Sequence, residues 1–137
     1  MVTQKYINDI AYKIVGCAIE VHKHLGPGLL ESVYEVCLID ELKSAGLQVS
    51  SQIVVPISYK EKQLGGSLKL DLLINDLVIV ELKSVEIILP VFKAHLLSYL
   101  KLTNKPKGLL INFHCENIVH DGLVPLVSQG FSFLPRD

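Results

Sequence analysis

Apolar and polar positions change period along this chain, and each change marks an element. From Ile7 onward, Ile10, Ala11, Ile14, Val15, Ala18 and Val21 recur at steps of three and four, as on one face of an amphipathic helix. Gly26-Pro27-Gly28 follows, so this helix ends near Leu25. A second helix is predicted from about Leu30 to Ala45, with Gly46 as its C-terminal stop. At about 100° per residue, Leu30, Val33, Tyr34, Cys37, Leu38, Leu42 and Ala45 share one half of its circumference. Glu31, between Leu38 and Leu42 in phase, falls in that half, as does Glu41. Helical phase thus allows Glu31 to face inward without singling it out.

Beyond Gly46 the pattern becomes strand-like. Val49 to Tyr59 is rich in β-branched residues, with Pro56 pointing to an edge position or a bulge. Leu64-Gly65-Gly66 reads as a turn, and the runs SLKLDLLI and LVIVELK read as two strands around Asn75-Asp76. A helix is predicted over roughly Val91 to Leu102 with Pro90 near its start, and Lys105-Pro106-Lys107-Gly108 breaks it. Leu109 to Phe113 forms a compact apolar strand, Leu123 to Val127 one more, and the C-terminal end is expected to be poorly ordered. The order helix, helix, three strands, helix, strand predicts an α/β domain, residues 1–137, with a mixed central sheet flanked by helices. The near-continuous apolar strands agree, since a sheet covered on both faces loses strict alternation.

The length of 137 residues fits one compact domain that needs no disulfide or structural metal. Half the residues are apolar, 20% are charged and the net charge is -1, so no bulk attraction to nucleic acid exists and any such binding needs a local basic patch. Lys101, Lys105 and Lys107 form the one candidate strip. Cys17, Cys37 and Cys115 show neither a disulfide framework nor zinc-ligand spacing, consistent with a reducing, cytoplasmic setting. MVTQKYINDIAYKIV carries Asp9 among its apolar residues, unlike a signal peptide. No apolar window is long enough for a membrane helix.

Charge inside the apolar run VIVELKSVE carries the chemistry. Unpaired buried charge is costly, so Glu81 and Lys83 must compensate each other, meet a metal or lie near water. Residues two apart share a strand face, so Glu81 and Lys83 point together, as do Lys69 and Asp71. A two-residue Asn75-Asp76 turn would pair Asp71 with Val80 and separate Asp71 from Glu81. A three-residue loop, Asn75 to Leu77, would set Asp71 opposite Glu81. The sequence is compatible with both. In the second register, two carboxylates and an ammonium converge, and a hard divalent cation, magnesium or manganese rather than zinc, would relieve the repulsion.

Asp71 followed by Glu81-Leu82-Lys83 resembles the D...(D/E)xK signature of the PD-(D/E)XK nuclease superfamily, with Leu70 at the loosely kept proline position. Gly28-Leu29-Leu30-Glu31-Ser32-Val33-Tyr34 resembles the motif of the GxxExxY family, a bacterial and archaeal branch of that superfamily. HLGPGLLESVYE, LGG, DLLI, VIVELKSVE, LLSYLK and GLLINF follow in the family's order from about His22 to Phe113. The resemblance implies a restriction-endonuclease-like core, with Glu31, Asp71 and Glu81 around Mg²⁺ or Mn²⁺ and Lys83 beside the attacking water. It also implies a nucleic-acid substrate, and His95, Tyr99 and Tyr34 as positioning residues. His95 stands where the family commonly has glutamine, four residues before Tyr99.

Plainer roles compete. Glu31 suits a helix N-terminus, Tyr34 suits a core, His22 and His24 suit a capped helix end, and the Gly26-Pro27-Gly28 turn lacks the strand and pattern of a phosphate loop. No serine or cysteine has the surroundings of a nucleophile. The leading expectation is a magnesium-dependent nuclease acting on DNA or RNA. The rival is a non-catalytic module that binds nucleic acid or protein, with a homodimer among its allowed states.

Overall fold

The computed structural model describes residues 1–64 and 68–137 in full. Its first helix, α1, spans Gln4–Leu25. Thr3 caps it by accepting the Tyr6 N–H at 3.0 Å, and Gly26, at φ 69°, ends it by donating its own N–H to the His22 carbonyl. Helix α2 follows over Glu31–Ser44. Only Tyr34, Leu38 and Leu42 of α2 are buried, a stripe narrower than the sequence predicts. Leu30 is 73% exposed and Ala45 lies at the surface, the two being the residues that cap the ends of the helix.

Five strands form one sheet in the order β1-β2-β3-β4-β5: β1 Val49–Tyr59, β2 Lys62–Ile74, β3 Val78–Lys83, β4 Lys107–Asn112 and β5 Leu123–Val127. All pairings are antiparallel except β3 with β4, and that parallel pair requires the crossover helix α3, Pro90–Thr103. The β1–β2 hairpin turns at Lys60 and Glu61, both in the left-handed region at φ 49° and 66°. Leu64 therefore lies within β2, and the rest of the predicted Leu64-Gly65-Gly66 turn falls on residues outside those described. Pro56 sits on the edge strand beside a register shift before Ser58, as its missing N–H demands.

Helices α1 and α2 cover one face of the sheet, packing Ile7, Ile14, Tyr34 and Leu38 on Leu72, Val80, Leu82 and Leu109. Helix α3 covers the other face with Leu96 and Leu100 over Leu70, Leu73, Ile79 and Leu110. Burying each such leucine contributes roughly 1.5–3 kcal/mol. The C-terminal end is ordered, contrary to expectation. A short helix α4, Gln129–Ser132, leads to Pro135 and Arg136, whose carbonyls accept the N–H groups of Gln4 and Lys5 at 2.7 and 2.9 Å. The first turn of any helix has unsatisfied donors, and here the tail supplies their partners.

Candidate active site

The Asn75-Asp76 loop decides whether the acidic residues meet. Both residues are left-handed, at φ 51° and 59°, and the Leu77 N–H closes the turn on the Ile74 carbonyl at 3.0 Å. The ladder nevertheless resumes with Ile74 opposite Val78, Leu73 opposite Ile79 and Leu72 opposite Val80. Leu77 is thus an extra residue on the β3 side, and the three-residue register is the one adopted. Asn75 is fixed from outside the hairpin, its side chain accepting the Gln48 N–H at 2.8 Å and its N–H reaching the Gln48 carbonyl at 2.9 Å.

Counting on from Leu72 and Val80 places Asp71 opposite Glu81, and there side chains take over the ladder. The Asp71 N–H donates to Glu81 Oε1 at 3.2 Å, and the Leu82 N–H donates to Asp71 Oδ2 at 2.9 Å. Each carboxylate substitutes for a main-chain carbonyl. Glu81 is 8% exposed, and burial, then the neighbouring Asp71 charge, pushes its carboxyl up to about 8. No ion pair to Glu81 occurs among the described residues.

Lys83 shares the Glu81 face, and its charge draws the Glu81 carboxyl back down as the smallest of the acting causes. Its ammonium lies 4.6 Å from the centre of the Phe92 ring on α3, a cation–π placement. Tyr99, one helix over the pair, has its hydroxyl pushed up first by burial and then by the charges of Glu81 and Asp71. His95 is exposed and stacks on Tyr99 with ring centres 6.4 Å apart.

Glu31 arrives from the opposite side of the sheet. At about 100° per residue it has the azimuth of the buried Leu38 and Leu42, yet it is exposed at the first turn of α2. There it lines a cleft of about 150 Å³ with Ser32, Glu35, Gln52, Asp71 and Leu82. Asp71 therefore bonds across the ladder with Glu81 and shares a cleft with Glu31. No group of three or more His, Cys, Asp or Glu side chains placed to share an ion occurs among the described residues. Strand parity explains this: Glu81 and Lys83 lie on the Ile79 side, toward α3, whereas the α2 carboxylate comes from the Leu82 side.

Tyr34 is fully buried and stacks on Phe113 at 4.4 Å. Its hydroxyl donates to the Gly26 carbonyl and accepts the Leu29 N–H at 3.2 Å, so it braces the turn that presents Glu31. Ser84, just past Lys83, holds the same turn by donating to the Leu29 carbonyl at 2.6 Å. Sequence reasoning missed Gln52 and Glu35 in the cleft wall, where Gln52 Nε2 donates to Glu35 Oε1 at 2.6 Å. Glu35 follows Glu31 by one helical turn, which was a usable signal. The candidate basic strip is partly spent within the fold: Lys105 pairs with Asp76 and Lys107 bonds Asn8, each at 3.0 Å.

In donor chemistry the site fits a hard divalent cation. It offers oxygen ligands only, and one of them is a buried carboxyl that makes no ion pair among the described residues. A mixed sheet flanked by helices, with an acid on one hairpin strand facing an acid and a lysine on the next, defines a restriction-endonuclease-like, nuclease-class domain. The chain belongs to the PD-(D/E)XK nuclease superfamily, whose family model matches residues 8–122. No curated protein and no solved structure matches it.

Proposed function

We propose that the protein is a divalent-cation-dependent nuclease of the GxxExxY branch, hydrolysing phosphodiester bonds in DNA or RNA. The observation that carries this reading is the Asp71–Glu81 pair, in which a buried, proton-hungry carboxyl is bonded to the backbone of a second acid. Asp71 and Glu81 would hold Mg²⁺ or Mn²⁺, with Glu31 approaching from the cleft. When bound, the cation would polarise the phosphate and lower the pKa of water. Lys83, on leaving the Phe92 ring, would orient the attacking water and stabilise charge developing on the phosphate. Tyr99 and His95 would position the substrate, and Tyr34 would act indirectly by holding the Glu31 turn.

A non-catalytic module that binds nucleic acid or protein is the second reading. It is favoured by the Lys83 ammonium resting on Phe92 and by the distance in sheet faces between Glu31 and Glu81. Incubating plasmid, single-stranded DNA and RNA with Mg²⁺, Mn²⁺ or chelator separates the two. Metal-dependent cleavage that falls by at least about 100-fold in Lys83→Ala supports the nuclease. Salt-sensitive binding without cleavage in any metal supports the module.

A further inference from the structure

Both strands of the β1–β2 hairpin change sheet face at one rung. On β2, Leu70 packs with the α3 cluster but Leu72 packs with the α1–α2 cluster. Residues two apart in a regular strand would share a face, so the strand rolls over at Asp71. On β1, Ile53 packs with the α3 cluster while Val49 packs with the other, although the two are four positions apart and would share a face in a regular strand. The roll on β1 therefore lies between Val49 and Ile53.

Gln52 is where it happens. Its φ is 50°, a left-handed conformation uncommon for a residue of this type and worth about 1–2 kcal/mol of strain. Pairing runs Ser51 to Leu72 and Ile53 to Leu70, which sets Gln52 against Asp71 with no residue gained or lost. The rung between them is absent from the ladder. The Gln52 side chain, in turn, is fixed to Glu35 of α2 at 2.6 Å. A strained residue held by a bond to another element, directly opposite a functional acid, has the form of stored local strain at a working site.

We propose that Gln52 is a positioning residue for Asp71: its left-handed backbone, locked by the amide bond to Glu35, rolls the hairpin so that the Asp71 carboxylate reaches the Leu82 N–H and its own N–H reaches Glu81. In a regular ladder Asp71 would point squarely to one face, and the exchange of bonds with β3 would be lost. This inference rests on the proposed cation site, and the fold gives it an independent readout in the Leu82 amide.

Two substitutions separate backbone from side chain. Gln52→Gly accepts a positive φ without strain, whereas Gln52→Val, β-branched, resists it. Hydrogen exchange and amide shifts of Leu82 in the metal-free protein, followed by Mn²⁺ titration, read the outcome. The valine chain is expected to lose Leu82 protection selectively, with other β3 amides unchanged, and to bind Mn²⁺ at least about tenfold more weakly, as outer-shell changes do. The glycine chain is expected to keep Leu82 protected. If valine does not fold, Gln52→Ala, which keeps the strained Cβ but removes the bond to Glu35 that locks it, serves in its place. Wild-type Leu82 protection in the valine or alanine chain would overturn the proposal, as would equal loss in glycine and valine. A wild-type protein that neither binds Mn²⁺ nor cleaves would instead overturn the nuclease reading and leave the Leu82 result to judge Gln52.

Discussion

Glu81 concentrates the electrostatics of the fold in one side chain. In metal-free solution the folded chain keeps its proton up to about pH 8, whereas the unfolded chain releases it near the ordinary value of 4.5. Between those values the folded state holds more protons, so unfolding free energy falls as pH rises. Stability from this group is full below about pH 4.5 and lost by the time pH passes 8. Glu81→Gln, neutral at every pH, removes the slope and leaves the chain more stable than wild type above pH 8 by on the order of a few kcal/mol. Urea titrations of both chains in chelator from pH 5 to 9 measure it, and parallel stability curves would contradict the assignment. Tyr34 illustrates the opposite case, since it acts from inside the core, through bonds to Gly26 and Leu29.

The elements themselves were mostly written in local chemistry. β1 runs from Val49 to Tyr59, the span its β-branched residues predict, and Pro90 opens α3 as the first helical residue. What escaped was set by contacts distant in sequence. The turn at Lys60-Glu61 carries no glycine, so no turn signal marks it in the sequence. The extra residue at Leu77 follows from Asn75 bonding to Gln48 across β1, which no hairpin rule contains. The π-helical turn Ile118–Gly122 was likewise invisible, being held by packing against β4. Its Gly122 is required by space: a Cβ there would stand 2.3 Å from the Asn112 carbonyl oxygen. Asn112 is buried and ties the segment after Lys83 to β4 through Val85, at 3.0 and 2.8 Å. Gly122→Ala should therefore destabilise the chain by about 1–3 kcal/mol and loosen the Lys83 end of β3. Denaturation midpoints and the Val85 amide shift check this, and an unchanged midpoint would refute it.

Across the whole molecule, charge and chain path are arranged around the central hairpin. Of the predicted basic strip, Lys105 and Lys107 are engaged within the fold, and the net charge of -1 adds no bulk attraction for a polyanion. No described helix is long and apolar enough to cross a membrane. The three-residue loop that joins β2 to β3 also has a consequence in time. Hairpins close in about 1–10 μs, while the parallel β3–β4 pair must wait for the α3 crossover and its larger loop entropy. Asp71 and Glu81 are thus brought together early, before the sheet is complete, and Glu81, charged in the unfolded chain above pH 4.5, takes up a proton as they meet. Acidification should accordingly speed refolding of the wild type in stopped-flow chevrons and leave Glu81→Gln indifferent. The carboxyl pair thereby ties an early folding event to the proton concentration.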